Sequence, residues 1–352
     1  MAQLQPRSKN LPGLTGLRGV GAAWVLLFHM QFALDLPILK SGYLGVDLFF
    51  ILSGFVLSHS HPATIWDVGT YKTFLRARIA RIFPMHWATL GLIVMIIALD
   101  PAVYRDMQSR FQLSGLISSI FLTQNWGFGG PSPWNLPAWS LSTEWLVSLG
   151  FPMFLWLANR SKDPALATTA CFALIIAFAM FLSATDNPSF SVIGKAGIVR
   201  TVCEFAAGCF LYRAYAAPIR VTALVSISGI ALIADGIINN RHDVCAVLGF
   251  ALIVLAAAQP SGRIASFLST KTMVYLGEIS YSLYLLHWIL LQVFDRLKAA
   301  QGIYGFTLKN AMLSCCFVSL TVLLATLTYN HIERPARNAI RKVGAVLPPL
   351  QA

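Results

Sequence analysis

Residues 165–184 read ALATTACFALIIAFAMFLSA, twenty consecutive positions without a charged side chain. An α-helix of about 20 mostly apolar residues is long enough to cross the hydrocarbon core of a bilayer. A stretch of this length and composition therefore predicts a transmembrane helix, and it sets the class of fold for the rest of the chain.

The composition of the whole chain agrees with a membrane protein. Of its 352 residues, 57% are hydrophobic and 11% are charged, whereas soluble globular proteins carry roughly 25% charged residues. So few charged side chains cannot cover a soluble protein of this size, which argues against a soluble enzyme and against a disordered tail protein. The net charge of +12 would suggest nucleic acid in a soluble protein. In a membrane protein it indicates basic cytoplasmic loops instead, and we expect no nucleic-acid partner.

Apolar segments recur along the chain. There are eleven: 14–34, 43–60, 81–99, 113–124, 139–158, 165–184, 196–215, 221–238, 244–258, 272–294 and 310–330. Both termini are basic and are predicted to be cytoplasmic, which requires an even number of crossings. Segment 113–124 is the shortest and is rich in Ser and Gly, so we predict that it is re-entrant or interfacial. The remaining ten crossings place 17 of the 26 Lys and Arg residues on the cytoplasmic side.

These patterns predict an all-α, polytopic integral membrane helix bundle of about ten transmembrane helices, with both termini cytoplasmic. Residues 1–352 are predicted to form a single membrane domain in the cytoplasmic membrane. Its core is about residues 11–335, and residues 1–10 and 336–352 are basic cytoplasmic tails. The first apolar run lacks a small-residue cleavage site, so it is predicted to be a retained helix rather than a signal peptide. The Gly- and Pro-rich end of the external stretch 100–138 is predicted to be non-helical.

Two polar residues of the first segment share a helix face. Arg18 and His29 are eleven positions apart, almost three turns, which places them on one face and about 16 Å apart along the axis. Arg18 is predicted at the cytoplasmic end and His29 towards the outer side. A neutral imidazole can act as a general base. The alternative is an interfacial arginine and a packing histidine.

A second basic group lies between the second and third predicted crossings. Arg78 and Arg81 are three positions apart and share a helix face. Guanidinium groups donate paired hydrogen bonds to phosphate oxygens, so these residues are candidates for a phosphate clamp. The alternative is that they only hold this loop on the cytoplasmic side.

Carboxylates inside apolar segments call for partners. Glu144 lies one turn into an apolar helix and Asp47 lies in another; each needs a partner or a position near water at a helix end. Glu204 follows Arg200 by four positions, which predicts an ion pair along one helix.

The cysteines carry no metal or redox signature. Six cysteines lie in or beside apolar stretches without a C-x-x-C pair, and buried cysteine usually behaves as a small hydrophobic residue. Metal sites need clustered ligands, so we predict no metal. The chain also lacks a Walker P-loop and a G-x-S-x-G motif.

The order of motifs along the chain resembles the acyltransferase 3 family of integral membrane acyltransferases. The motifs are LTGLRG at 14–19 with His29 completing R-x10-H, GVDLFF at 45–50 with SGF at 53–55, RIARIFP at 78–84, WSLSTE at 139–144, SY at 280–281 followed by His287, and ERP at 333–335. The departures are small. Thr15 stands where the family often has Asp and receives no role, and a single Glu144 stands where many members have two acidic residues.

The resemblance implies a ten-helix enzyme. Such an enzyme moves an acyl group, commonly acetyl, from cytoplasmic acyl-CoA to a hydroxyl of a carbohydrate such as exopolysaccharide, O-antigen or a lipid-linked sugar. Acyl-CoA would be a co-substrate, no cofactor would be bound permanently, and the partners would be acyl-CoA, the glycan acceptor and the lipid bilayer. Without an SGNH hydrolase-like domain, the chain resembles the stand-alone type.

The resemblance also suggests roles for residues. His29 would remove the proton of the acceptor hydroxyl during direct attack on the thioester, and Glu333 or Glu144 would orient it. Arg18, Arg78 and Arg81 would bind the phosphates of acyl-CoA. An acyl-histidine intermediate is the mechanistic alternative. Further candidate site residues are Asp47, Ser53, Trp139, Ser140, Tyr281 and His287.

Two other classes of function compete with this interpretation. A transporter or flippase of a lipid-linked sugar would also carry intramembrane charges along its substrate path. Many transporters are built from two similar halves, and the sequence shows no internal repeat. A non-catalytic scaffold would leave Arg18 and His29 on one face unexplained.

Overall fold

A computed structural model of the chain describes residues 10–30, 36–62, 66–100, 111–128, 134–185, 189–217, 221–239, 243–303, 305 and 307–343. Within these ranges the chain is helical and contains no strand, as the composition predicts. The main helices are α1 (Pro12–Phe28), α2 (Gly45–Ser60), α3 (Val68–Leu99), α4 (Leu113–Ile120), α5 (Ala138–Leu149), α6 (Phe151–Arg160), α7 (Pro164–Ser183), α8 (Gly194–Ala216), α9 (Ala223–Ile238), α10 (Asp243–Ala257), α11 (Arg263–Leu268), α12 (Lys271–Ala300), α13 (Leu308–Thr328) and α14 (Arg334–Val343).

Several helices are long and apolar enough to cross a membrane. In the described part of the chain these are Gly42–Ser60, Val68–Leu99, Pro164–Ser183, Lys271–Ala300 and Leu308–Lys342, with a sixth if α5 and α6 form one broken span. Helices α1, α9 and α10 are apolar but shorter, at 17, 16 and 15 residues. This number of apolar helices indicates a multi-pass membrane protein. Helix α4 has eight residues and a length of about 12 Å, less than half of a hydrocarbon core of about 30 Å; that segment 113–124 is re-entrant or interfacial stays a prediction.

The arginine-containing stretch before the third predicted crossing is helical rather than a loop. Helix α3 begins at Val68, where Asp67 caps it by accepting the backbone N–H of Thr70 at 2.6 Å. This hydrogen bond lowers the pKa of the Asp67 carboxyl. No Gly or Pro interrupts the chain between Thr70 and Phe83, so the helix continues through Arg78 and Arg81 into the apolar segment.

Two other predicted helices end differently in the structure. The first helix stops at Phe28, before the predicted limit of residue 34. The predicted helix 139–158 is divided at Gly150, because Pro152 in the first turn of α6 has no N–H to bond the preceding turn. Residues 1–9, 101–110, 129–133 and 344–352, where parts of the predicted tails and of the external stretch fall, lie outside the described residues.

The chain forms two compact units. The first consists of residues 1–64 and 150–280, and the second of residues 65–149 and 281–352. In the first unit, α8 packs against α2 and α7, and α9 packs against α10. A Cβ added at Gly54 would lie 2.0 Å from the carbonyl oxygen of Phe205, and one at Gly208 would lie 2.1 Å from that of Ile51. Small residues thus let α2 and α8 approach backbone to backbone, as is common between membrane helices.

In the second unit, several helices pack on α3. It contacts α5 and the C-terminal helix α14. His86 donates from Nε2 to the carbonyl oxygen of Ser119 at 2.7 Å, and Trp87 donates to that of Ile120 at 2.9 Å. These bonds satisfy carbonyls at the end of α4 and hold this short helix against α3.

Candidate functional site

The first unit contains Arg18 at a close crossing of α1 and α12. A Cβ added at Gly277 would lie 1.8 Å from the carbonyl oxygen of Thr15, and one at Gly19 would lie 2.7 Å from the backbone nitrogen of Gly277. The glycines therefore allow direct backbone contact. Arg18 is half-buried there and donates from Nη2 to Oγ of Ser280 at 3.4 Å.

His29 lies at the opposite end of α1. It is the C-cap residue, with helical dihedral angles, and its backbone N–H reaches the carbonyl oxygen of Leu26 at 3.3 Å in a tightened last turn. Its ring packs edge-on against Phe28, with centroids 5.0 Å apart, and the residue is half-buried. His29 thus follows Arg18 along one helix, as the spacing predicts, but at the end of that helix rather than within it.

The second unit contains both predicted phosphate-binding arginines, each paired with a carboxylate. Arg78 on α3 donates from Nη2 to Glu144 on α5 at 2.6 Å, and the two side chains are 12% and 25% exposed. The Nε of Arg78 is buried and has no hydrogen-bond partner among the described residues. Arg78 therefore keeps donor capacity beyond its ion pair.

Glu333 is the partner of Arg81. Arg81 donates from Nη1 to Oε1 of this carboxylate, Ser282 donates to Oε2 at 2.7 Å, and Nη1 of Arg337 lies 3.7 Å from Oε1. Glu333 is 1% exposed. Such a buried carboxylate needs partners of this kind, and its partners fix the direction of the Arg81 side chain.

Tyr281 lies within the same group of charges. Its hydroxyl donates to the carbonyl oxygen of Ile82 at 2.5 Å, and the Arg81 guanidinium carbon lies 5.3 Å from the centre of its ring, a cation–π contact. The charges of both arginines and both glutamates act on it. These residues form one arginine–carboxylate cluster: Arg78, Arg81, Glu144, Tyr281, Ser282 and Glu333.

The structure brings some predicted site residues together and places others elsewhere. Glu144 and Glu333, proposed from sequence to orient His29, both contact arginines within the second unit; that either of them orients His29 stays a prediction. Ser282 gave no local signal in the sequence, because its partner Glu333 lies 51 positions away.

The remaining candidates of the second unit lie on α5 and α12. Ser140 and Tyr284 share a hydrogen bond of 2.8 Å between their hydroxyls. His287 is 1% exposed, and its ring centroid lies 5.6 Å from that of Tyr284. Trp139 is buried at the start of α5. Tyr284 is not a candidate from the sequence, but its hydrogen bond with Ser140 connects α5 to α12.

Asp47 has a structural partner in the first unit. Arg200 donates from Nε and Nη2 to its two carboxylate oxygens, at 2.7 and 2.5 Å. The predicted Arg200–Glu204 pair also forms, with Nε and Oε1 3.9 Å apart, but Asp47 is the closer partner. This bidentate pair links α2 to α8. It gives Asp47 the partner that a buried carboxylate in an apolar helix requires, and Ser53 lies half-buried on the same helix α2.

The second unit also holds an apolar cavity of about 440 Å³. Its walls include Ile93, Phe111, Trp134, Trp288 and Ile289, and an ion pair of Arg296 with Asp100, 3.7 Å apart, lies at it. No candidate catalytic or donor-binding residue lines this cavity.

Across the described residues, no group of three or more His, Cys, Asp or Glu side chains could hold a metal ion.

Comparison with known proteins gives a consistent assignment. Residues 11–330 match the acyltransferase domain family Acyl_transf_3. The chain is 26% identical to the acyltransferase MdmB of Streptomyces mycarofaciens, over 94% of this chain and 93% of the relative.

Two further relatives are longer than this chain. It is 26% identical to the O-acetyltransferase OatA of Staphylococcus aureus, over 97% of this chain and 59% of the relative. It is 22% identical to the peptidoglycan O-acetyltransferase OatA of Listeria monocytogenes, over 94% of this chain and 56% of the relative. No solved structure is significantly similar to the chain.

The family match spans residues 11–330 and includes the positions of Arg18, His29, Arg78, Arg81 and Glu144. The chain therefore belongs to the acyltransferase 3 family and carries its acyltransferase domain.

Proposed function

We propose that this protein is a membrane-embedded O-acyltransferase. It moves an acyl group, most simply acetyl, from cytoplasmic acyl-CoA to a hydroxyl of a carbohydrate outside the cytoplasmic membrane. The family match supports acyl transfer. The names of the OatA relatives support an acetyl group and oxygen as the acceptor atom, and the word peptidoglycan in one of them supports a glycan acceptor.

The arginine–carboxylate cluster is the observation that carries the assignment of the donor. Arg78 uses one Nη atom for Glu144 and retains a buried, unpartnered Nε. A guanidinium offers five N–H donors, so Arg78 and Arg81 can bind a phosphate oxygen while their carboxylates hold them in place. Charge-assisted hydrogen bonds of this kind are about twice as strong as neutral ones.

His29 is the base in the proposed mechanism. The imidazole removes the proton of the acceptor hydroxyl while that oxygen attacks the thioester carbonyl. The carbon–sulfur bond then breaks, and the CoA thiolate leaves and takes the proton from the imidazolium. The half-buried position of His29 at the end of α1 supports this role, because a base must be reachable by its substrate. An acyl-histidine intermediate remains the alternative route.

The proposal includes the orientation of the protein in the membrane. Ten crossings with both termini cytoplasmic would put Arg18, Arg78 and Arg81 on the side where acyl-CoA is found. Helices α1, α9 and α10 would then cross the membrane despite their length of 15 to 17 residues. The protein would act in the cytoplasmic membrane and export only the acyl group.

The test uses purified protein in lipid nanodiscs with acetyl-CoA labelled in the acetyl group. Peptidoglycan fragments, exopolysaccharide and lipid-linked sugars serve as acceptors, and both free CoA and label in the acceptor are measured. We expect equal amounts of CoA and acetylated product with one class of acceptor. A matching loss of glycan acetylation is expected in a deletion strain. Transport of a lipid-linked sugar across vesicles without any release of CoA would contradict the proposal and favour a flippase.

A further inference from the structure

The basic C-terminal segment is more than a cytoplasmic tail. The sequence predicts that the core ends near residue 335, yet α14 runs from Arg334 to Val343 and packs against α3, the helix that carries Arg78 and Arg81. Cationic residues that only set topology need no such packing. The position of this helix therefore raises the question of what its arginines bind.

Two arginines of α14 lie at the arginine–carboxylate cluster. Nη1 of Arg337 lies 3.7 Å from Oε1 of Glu333, and its guanidinium carbon lies 5.9 Å from the ring centre of Tyr329. Arg341 follows Arg337 by four positions, so the two share a face of α14, and Arg341 is exposed. The two helices thus bring four guanidinium groups together.

Positive charge exceeds negative charge among the described residues of this cluster. The guanidiniums of Arg78, Arg81 and Arg337 contact the two carboxylates of Glu144 and Glu333. Arg341 adds a fourth positive charge one turn from Arg337, so two positive charges are in excess. Like charges at short distance repel one another, so an anion that binds all of them is favoured. The buried, unpartnered Nε of Arg78 points to the same kind of ligand.

The four arginines differ in how far their side chains are exposed, and this difference suggests which phosphate of CoA each pair binds. Arg78 and Arg81 are 12% and 18% exposed, Arg337 is 20% exposed, and Arg341 is exposed. CoA carries a diphosphate next to its pantetheine arm and a separate monophosphate ester on its ribose, at the end farther from the thioester. A phosphate monoester carries a charge of about −2 near neutral pH, which matches two guanidiniums.

We propose that Arg337 and Arg341 bind the ribose 3′-phosphate of CoA, so that α14 distinguishes CoA from 3′-dephospho-CoA. This inference rests on the proposed use of acyl-CoA as donor. The more buried pair, Arg78 and Arg81, binds the diphosphate.

The experiment measures the dissociation constants of CoA and 3′-dephospho-CoA for the full-length protein in nanodiscs. The variants are Arg337→Gln, Arg341→Gln and their combination. The control is Lys342→Gln, which removes an exposed charge one position away and about 100° around the helix. We expect wild-type protein and the control to bind CoA about tenfold or more tightly than dephospho-CoA. The double variant should bind the two ligands equally, with its affinity for dephospho-CoA unchanged within about twofold.

The outcomes separate this inference from the proposed function. If the wild-type protein binds CoA but does not prefer it to dephospho-CoA, or if the variants lose affinity for both ligands equally, the role of α14 is wrong and the donor assignment stands. If the wild-type protein binds neither ligand, both proposals fail. Should Arg337→Gln unfold the protein through loss of its contact with Glu333, the exposed Arg341 decides the question. An unchanged preference for CoA in Arg341→Gln then overturns the inference.

Discussion

Arg81 donates a hydrogen bond to the carboxylate of Glu333, 252 positions later in the chain. Ser282 occupies the second oxygen of the same carboxylate, which is almost fully buried. Glu333 therefore positions Arg81, and any effect that it has on His29 would be additional to this contact. The carboxylate that the family resemblance suggests as a catalytic residue thus also positions an arginine of the arginine–carboxylate cluster.

Replacement of the cluster arginines by lysine tests their role in donor binding. Arg78→Lys and Arg81→Lys keep the charge but lose the paired donor geometry. We expect each change to raise the KM for acetyl-CoA about tenfold with kcat largely retained, as measured by steady-state kinetics with varied donor. Arg76→Lys is the control, since Arg76 lies on the same helix but points about 140° or more away from both. Unchanged donor kinetics in both single variants and the double variant would reduce these residues to topology signals.

The parts of the structure that could be predicted from the sequence are those that depend on local composition. The run 165–184 corresponds to α7 at Pro164–Ser183, and the i, i+4 spacing correctly pairs Arg200 with Glu204. In each case the determining residues lie within one helix. The effect of Pro152 on helix 139–158 was also local, and its position after Gly150 could have indicated the break.

Long-range partners could not be predicted in this way. Asp47 binds Arg200 across 153 positions, and no local pattern distinguishes that partner from any other cation in the chain. The same holds for Glu333 with Arg81. The packing of α3 with α5 and α14 brings Glu144 and Glu333 to arginines of α3, and the role of either carboxylate towards His29 stays a prediction.

The bidentate pair of Asp47 and Arg200 should matter for folding. Asp47→Asn leaves a buried guanidinium without its close anionic partner, which costs about 3–5 kcal/mol. Glu204→Gln removes a carboxylate whose Oε1 lies 3.9 Å from Nε of Arg200, farther than the oxygens of Asp47, so it should cost less than about 1 kcal/mol. Unfolding of the two variants in detergent measures the difference. Equal losses of stability would show that the bidentate contact is not the dominant one.

The crossing of α1 and α12 depends on the absence of a side chain at Gly277. An alanine there would place its Cβ 1.8 Å from a backbone carbonyl oxygen, so the helices must separate, at a cost of about 1–3 kcal/mol. Gly91→Ala on α3 is the matched control, because no atom lies within 4 Å of its added Cβ and Ala favours the helix by about 1 kcal/mol. Thermal unfolding should rank Gly277→Ala below wild type and Gly91→Ala at or above it. A Gly277→Ala protein as stable as the control would contradict the close approach.

The proposed topology predicts the outcome of reporter fusions. Fusions after Lys162 and after Lys271 should report a cytoplasmic position, and a fusion after Arg110 should report an external one, because this arrangement places most basic residues inside. Paired alkaline phosphatase and fluorescent protein reporters give opposite signals on the two sides of the membrane. If the fusions after Lys162 and Lys271 are both external, segment 113–124 crosses and the ten-helix arrangement is wrong.

His29 is the residue on which the proposed chemistry depends. His29→Asn preserves most of the polar bulk but removes the titratable nitrogen, so kcat should fall by roughly 10²-fold or more. CoA binding should survive, since the donor contacts assigned to Arg78 and Arg81 are unchanged. His61→Asn is a close control, because His61 is the C-cap of α2 as His29 is of α1 and has no assigned role in the reaction. Acetyl transfer, CoA binding and thermal stability are measured on the same preparations. A well-folded His29→Asn protein with turnover like that of His61→Asn would overturn the mechanism, leave the family assignment intact, and move the search for the base to His287.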